Sequence, residues 1–280
     1  TITGNSIGTQ ISSSTGAFVQ GDLNDSGEYF VGNCGSAQPA GGIAVFDIMA
    51  LYPYLNSSVP SGDLFVDAGD VNSDGFITTS DFQIISEKSV GLSPIGWTAP
   101  EWLFENVNIT INATDENVLL EGICYGDVDG SFANSVSKAV TYAEIPKKGI
   151  KEVNSFRQFT LPILADENFT LEAIALVCEI PLGYSLNNVY FRDKKELEQN
   201  EILVYNAENG ILRLVWVNKN KASFIKGETM FTLELQAIDN NLSKDISLSL
   251  SSESVFAQDL TNSSNYAELV IPELITKASQ

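Results

Sequence analysis

Residues 70–81 carry oxygen-bearing side chains at the spacing that a twelve-residue calcium loop requires. The side chains at positions 1, 3, 5 and 12 of such a loop bind the ion, and here they are Asp70, Asn72, Asp74 and Asp81. Position 7, Phe76, offers a backbone carbonyl, and Gly75 at position 6 allows the sharp turn. The alternative is a surface turn that binds nothing, but the closing Asp and the apolar residues after it favour a Ca²⁺ site.

A second stretch repeats this pattern around residue 22. The motif Gly-Asp-Leu-Asn at 21–24 matches Gly-Asp-Val-Asn at 69–72, and the residues around Asp47 match those around Asp81. We therefore expect another calcium loop, interrupted by an insertion of small residues, in which Gly27 makes the turn. Its side-chain ligands would be Asp22, Asn24, Ser26 and Asp47.

A third, shorter match lies at residues 126–131, with the sequence GDVDGS. Asp127 and Asp129 stand at the first and third positions of a loop, but no closing carboxylate follows at the required distance. The segment is therefore interpreted either as a further Ca²⁺ site or as a plain turn.

Short helices are expected directly after the two closing aspartates. The apolar spacing predicts one helix from Ala44 to Tyr54, disturbed by Pro53, and another from Ser80 to Val90. We expect the two loop-helix units to pack against each other. Their core would contain Ile43, Phe46, Met49, Ala50, Leu51, Ile77, Phe82, Ile84 and Ile85.

The second half of the chain has the pattern of an all-β domain. Eight apolar or alternating runs, separated by turn residues, follow one another without a long helix. This predicts an antiparallel β-sandwich of the jelly-roll or Ig-like type, and a mainly β protein. The expected organisation is an extended N-terminal arm (1–20), a calcium-binding domain (21–144), a linker (145–155) and the sandwich (156–280).

Composition excludes several classes of function. The formal net charge of −21 opposes binding to nucleic acid or anionic lipid. The chain has no histidine, so it contains neither a Ser-His-Asp triad nor a histidine-bound zinc. A glycosidase using Glu101 and Glu105 is the remaining enzymatic alternative, but their spacing does not identify an acid and a nucleophile. We therefore expect a protein that is not an enzyme.

The sequence favours an extracellular location. Its longest apolar run, 171–180, is short and interrupted by Glu172 and Glu179, so we expect no membrane insertion. We expect that a signal peptide has been removed. The three cysteines leave two alternatives, a disulfide between Cys34 and Cys124 or three free thiols. Candidate N-glycosylation sites are Asn56, Asn108, Asn112, Asn168, Asn241 and Asn262.

Two segments resemble known modules. Residues 21–132, with two calcium-loop repeats, Trp97, Trp102 and the closing GDVDGS, resemble the type I dockerins of secreted Bacteroidota proteins. Residues 156–275 are similar to a cohesin-like sandwich, through the runs at 159–163 and 210–216. Dockerins bind cohesins in that family, so the resemblance implies head-to-tail association between copies of this chain.

These features together predict a structural subunit that forms a calcium-stabilised extracellular fibril, with or without glycans at the candidate Asn sites. The expected partners are other copies of the chain, joined either by donation of a strand from the arm or by docking of one module on the other. The alternative is a non-polymerising adhesion or scaffold module at the cell surface. In that case Trp97, Trp102 or Trp216 would stack on the sugars of surface glycans.

Overall fold

The computed structural model describes residues 27–31, 41–105, 107–111, 121–132, 141–192, 201–238, 246–260, 263–264 and 269–276. The chain divides into two compact units. One contains Thr1–Ile85 and Pro94–Asn134, and the other contains Ser86–Ser93 and Ser135–Gln280. Within the described ranges, no helix has the length and apolar character needed to cross a membrane.

The described residues up to 132 form short helices and two small antiparallel sheets. The helices are α1 (Val45–Leu51), which continues into a 3₁₀ turn (Tyr52–Tyr54), α2 (Leu64–Asp67) and α3 (Thr79–Ser89). The strands are β1 (Gly27–Val31), β2 (Trp102–Phe104), β3 (Val107–Ile111) and β4 (Gly122–Cys124). Strand β1 pairs with β3, and β2 pairs with β4.

Helices α1 and α3 confirm the two helices predicted from apolar spacing. All four residues expected on the α3 side of the core, Ile77, Phe82, Ile84 and Ile85, are buried. On α1 the prediction was partly wrong, because Ile43, Phe46 and Ala50 are only half-buried. The helix buries Met49 and Leu51 as predicted, and it also buries Val45, Ile48 and the carboxylate of Asp47.

Helix α2 was not predicted. It has only four residues, too few to show an apolar period, and its sequence signal is limited to the cap. Asp63 precedes it and accepts a hydrogen bond from the backbone N–H of Phe65 at 3.0 Å, which satisfies one of the free donors at the helix start.

The second unit is a sandwich of two sheets. In chain order its strands are β5 (Tyr142–Glu144), β6 (Lys147–Val153), β7 (Gln158–Ala165), β8 (Phe169–Glu179), β9 (Tyr184–Phe191), β10 (Glu201–Glu208), β11 (Ile211–Phe224), β12 (Thr229–Ala237), β13 (Ser249–Ser251), β14 (Val255–Ala257), β15 (Ser263–Ser264) and β16 (Leu269–Thr276). One sheet has the order β10-β11-β8-β13-β5, with β14 beside β8 and β15 beside β14, and the other has the order β6-β16-β7-β12-β9. The predicted antiparallel sandwich is confirmed, and each of the eight predicted runs contributes to a strand.

The sandwich core is centred on Trp216, which is fully buried. Its ring stacks on Phe191 with the ring centroids 4.8 Å apart, and Phe224 packs against it edge-on at 6.1 Å. Alternate residues of the facing strands point inward, as β7 shows with Phe159, Leu161 and Ile163.

The segment 145–155, predicted to be a linker, contains the whole of strand β6. This strand pairs in parallel with β16, so that Lys147 lies opposite Ile271 and Val153 opposite Thr276. The Pro, Gly and Lys residues that suggested a linker are compatible with a strand at a sheet edge. The sandwich therefore begins before residue 156.

Candidate metal centres

The predicted loop at 70–81 brings three carboxylates together. Oxygen atoms of Asp70, Asp74 and Asp81 all lie within 4.8 Å of one another. Asp81 is fully buried, Asp70 is almost so, and Asp74 is exposed. A single divalent cation could be bound by all three residues.

Backbone hydrogen bonds hold the start of this loop in a turn around Asp70. One oxygen of Asp70 accepts from the N–H of Asp74 at 3.0 Å, and the other accepts from the N–H of Gly75 at 3.0 Å. Asn72 accepts from the same Asp74 N–H at 2.9 Å. Gly75 has φ = +88°, a conformation that glycine adopts without a Cβ clash.

Asp81 closes the loop from the first turn of α3. It accepts from the N–H of Asn72 at 3.3 Å and from the N–H of Thr78 at 2.9 Å. The buried side chain of Ile77 anchors the loop to the core, and its backbone pairs with Ser57 through a 2.8 Å hydrogen bond. The loop geometry is therefore fixed at both ends by protein contacts.

A second cluster consists of Asp47, Asp127 and Asp129, whose carboxylate oxygens also lie within 4.8 Å of one another. Asp47 and Asp127 are buried, and Asp129 is exposed. The position of the closing carboxylate missing after residues 126–131 is thus taken by Asp47, which lies far earlier in the chain.

The second cluster repeats the hydrogen bonds of the first. Asp127 accepts from the N–H groups of Ser131 at 2.9 Å and Phe132 at 3.2 Å, as Asp70 accepts from the residues four and five positions later. Asp47 accepts from the N–H of Asp129 at 3.0 Å and from Ala44 at 2.6 Å. Asp81 accepts in the same way from the third loop residue and from the residue three positions before itself.

The two closing aspartates also occupy the same place in their helices. Asp47 is the third residue of α1, and Asp81 is the third residue of α3. An acidic side chain there faces the free N–H groups of the first turn, which favours negative charge. Gly42 fits the second cluster closely, because a Cβ at this position would lie 2.7 Å from the carboxyl group of Asp127.

The electrostatics of both clusters disfavour bare carboxylates. Burial, together with the neighbouring Asp129, raises the pKa of Asp47 from 3.8 to about 8. Burial and Asp129 also raise the pKa of Asp127, to about 6. The pKa of Asp81 is raised by burial and, to a smaller extent, by Asp70. Such groups require protons or a cation to offset the cost of burying their charges and, to a smaller extent, their mutual repulsion.

The remaining ligands of the predicted first loop, Asp22, Asn24 and Ser26, lie outside the described residues. Gly27 was expected to make the turn of that loop, but this prediction is wrong, because Gly27 begins strand β1 and pairs with Ile111. The structure places Asp47 with Asp127 and Asp129, a grouping that the sequence reasoning missed. The repeated residues around Asp47 and Asp81 were the signal that could have suggested it.

The tryptophans considered for sugar binding and the two glutamates considered for glycosidase chemistry lie outside both aspartate clusters. Trp216 lies in the core, and Trp97 and Trp102 are half-buried. Glu105 accepts a hydrogen bond from the N–H of Glu121 at 2.9 Å. Glu101 is exposed and lies immediately before β2.

Two predicted glycosylation sites, Asn56 and Asn168, are exposed, and Asn108 lies within β3. Asn112, Asn241 and Asn262 lie outside the described residues, as does Cys34. Cys124 and Cys178 are buried free thiols, so the alternative of a disulfide at Cys124 does not hold in this structure.

Comparison with known proteins finds matches among solved structures alone. No family model matches the chain, and no curated protein matches it. A non-cellulosomal cohesin from the hyperthermophilic archaeon Archaeoglobus fulgidus matches at 15% identity, covering 49% of this chain and 92% of that chain, with a TM-score of 0.31.

Two further matches are chains from cohesin complexes. One belongs to a type I cohesin–dockerin complex from Clostridium thermocellum. It is 11% identical in sequence, the match covers 49% of this chain and 100% of that chain, and the TM-score is 0.30. The other belongs to the complex of the third cohesin ScaC with the ScaB dockerin from Acetivibrio cellulolyticus. It is 12% identical in sequence, the match covers 48% of this chain and 99% of that chain, and the TM-score is 0.31.

Proposed function

We propose that this chain is a secreted structural subunit that binds Ca²⁺ at two loops of its N-terminal unit and assembles head-to-tail with copies of itself. The observation that carries the proposal is the matching set of hydrogen bonds around Asp70 and Asp81 and around Asp127 and Asp47. Two separate parts of the chain thus hold carboxylates in the same arrangement.

The donor atoms favour calcium over other common metals. Each cluster offers carboxylate oxygens, and the first adds the amide oxygen of Asn72 and the backbone carbonyl of Phe76. Ca²⁺ takes six to eight oxygen ligands in flexible geometry, whereas zinc favours cysteine and histidine. Neither cluster contains a histidine or a cysteine.

Calcium at the second cluster would have a structural role. It would join the start of α1 to residues 127–132, which are far apart in sequence. An ion that binds the folded state alone stabilises it by about 2.7 kcal/mol when its concentration is one hundred times its Kd. Millimolar extracellular Ca²⁺ reaches that ratio for a site with a Kd of about 10 μM and still favours the folded state at weaker sites, by about 1 kcal/mol, in agreement with a secreted protein.

The strongly acidic composition makes assembly dependent on cations. A chain with a net charge of −21 repels its own copies, and bound Ca²⁺ reduces that repulsion. The sandwich also offers strand edges, because β9 and β10 each end a sheet within the described part of the chain. Such edges can pair with a strand from another molecule.

The proposal is tested by sedimentation velocity and electron microscopy of the full chain in EDTA, in Ca²⁺ and in Mg²⁺ at equal ionic strength. We expect monomers in EDTA and extended assemblies in Ca²⁺, with little effect of Mg²⁺. A protein that binds Ca²⁺ but stays monomeric at every concentration would contradict self-assembly and favour the non-polymerising scaffold or adhesion module.

A further inference from the structure

Strand β7 is paired on both sides over only a small part of its length. On one side it pairs with β12 from Gln158 to Leu164. On the other side its ladder with β16 consists of Ala165 with Leu269 and Leu164 with Val270. From Ile271 onward β16 pairs with β6. Within the described ranges, residues 158–163 have no strand partner on this second side.

The direction of the backbone groups on β7 follows from a hydrogen bond at its end. The N–H of Ala165 donates to the carbonyl of Glu228, on the β12 side, at 2.9 Å. Backbone groups of successive residues in a strand point to opposite sides, so those of Gln158, Thr160 and Pro162 point away from β12. Proline is tolerated in a sheet where its nitrogen needs no partner, and Pro162 has that orientation.

This free edge is uncharged in a highly acidic protein. The sequence of β7, QFTLPILA, contains no Asp, Glu, Lys or Arg. Lys151 of β6 reaches the hydroxyl of Thr160 with its side chain at 3.1 Å, but β6 forms no ladder with β7 in the described part of the chain. A strand could pair here without bringing acidic side chains together.

Residues 1–20 have the composition that such an edge accepts. They too contain no charged residue, they lack proline, and they are rich in Thr, Ser and Ile. Twenty residues in extended conformation span roughly 66 Å. That length can reach a neighbouring molecule and still leave six residues for pairing.

We infer that the free edge of β7, at residues 158–163, accepts residues 1–20 of a second copy as an added strand. This inference rests on the proposed self-assembly and names the surfaces that form the joint. The added strand would accept hydrogen bonds from the N–H groups of Gln158 and Thr160. It would donate hydrogen bonds to the carbonyls of Gln158, Thr160 and Pro162.

Two variants of the full chain test the inference by complementation. Thr160→Pro removes an N–H from the free edge but leaves the N-terminal segment intact. The double substitution Ile7→Asp and Ile11→Asp puts charges in the N-terminal segment but leaves β7 intact. In Ca²⁺, each variant alone should remain monomeric, whereas an equal mixture should give dimers at twice the monomer mass.

The matched control is Thr160→Val, which keeps the N–H and should assemble like the wild type. Thermal unfolding identifies a Thr160→Pro protein that does not fold. Hydrogen exchange of the wild type then provides the second test. Assembly should slow exchange at Gln158 and Thr160 at least tenfold, while Leu161 and Ile163, which face β12, are slow in both states.

The outcomes separate this inference from the proposed function. If the wild type assembles but Thr160→Pro assembles equally well, or the two variants form no dimers when mixed, the joint lies elsewhere and the inference is wrong. The same holds if exchange at Thr160 is unchanged on assembly. A wild type that never assembles in Ca²⁺ refutes the proposed self-assembly itself.

Discussion

The carboxylate of Asp47 accepts a 3.0 Å hydrogen bond from the backbone N–H of Asp129, which lies 82 residues later in the chain. The same bond joins Asp81 to Asn72 within a continuous loop, at 3.3 Å. The protein thus builds two equivalent arrangements of carboxylates, one from a single segment and one from two distant segments. The second arrangement connects the start of α1 to residues 127–132.

Asp47→Asn should remove most of the stabilisation that Ca²⁺ gives to the N-terminal unit. The amide oxygen can still accept one of the two backbone hydrogen bonds, from Asp129 or from Ala44, but the side chain no longer offers a charged ligand to the ion. We expect the increase in Tm between EDTA and saturating Ca²⁺ to be clearly smaller than in the wild type. Glu121→Gln, at an exposed position, is the control and should keep the full increase. An unchanged increase in Asp47→Asn would argue against an ion at this cluster.

Gly75→Ala should destabilise the loop through the backbone alone. A Cβ at this residue would meet no neighbouring atom, so the cost comes from φ = +88°. A left-handed conformation costs an ordinary residue about 1–2 kcal/mol. Denaturant unfolding in Ca²⁺ should show a loss of that size for Gly75→Ala and a smaller loss for Gly75→Asn, because Asn tolerates this region. Equal losses would contradict a backbone origin.

Trp216→Phe should cost much less stability than its full burial suggests. The indole Nε1 is buried and finds no hydrogen-bond partner among the described residues, and an unsatisfied donor of this kind costs about 1–3 kcal/mol. Phenylalanine removes that donor and keeps stacking on Phe191. Trp216→Ala should cost about 3–5 kcal/mol, because it leaves a cavity in the core. The free energies of unfolding in urea compare the two variants, and similar losses would contradict this account.

Asp166 should make the sandwich sensitive to acid. A hydrogen bond from Lys148 and the charges of Lys148 and Lys226 hold the pKa of Asp166 below its usual value. A carboxylate with a lowered folded-state pKa stabilises the protein above the unfolded pKa of 3.8, and this contribution is lost as the pH falls below it. Tm measured from pH 6 to pH 3 should therefore fall less steeply in Asp166→Asn.

The control for this prediction is Glu208→Gln, at an exposed position that ends β10. It should show the wild-type dependence on pH. A curve for Asp166→Asn that parallels the wild type would show that the ion pair with Lys148 contributes nothing to acid stability.

Local patterns predicted the parts of this protein that local contacts determine. The loop from Asp70 to Asp81 was predicted because its ligands follow one another at a fixed spacing, and the strands of the sandwich because their apolar residues recur. The grouping of Asp47 with Asp127 has no continuous loop spacing, since the closing acid comes first in the chain and its loop comes last. The repeat around Asp47 and Asp81 was its signal in the sequence.

Pairing over long distances also explains the error at residues 145–155. The Pro, Gly and Lys content of this segment is typical of a linker, and Ile150 is its one strongly exposed apolar side chain. It becomes strand β6 because the far end of the chain, β16, provides a parallel partner. Composition within a window of ten residues cannot reveal such a partner.

Native mass spectrometry of the chelated chain, titrated with Ca²⁺, tests the central claim most directly. We expect Asp81→Asn and Asp47→Asn each to bind one ion fewer than the wild type, and the double variant to bind two fewer. Equal numbers of bound ions in the wild type and Asp47→Asn would show that residues 127–132 form a plain turn. They would contradict the account of a calcium site built from two distant segments.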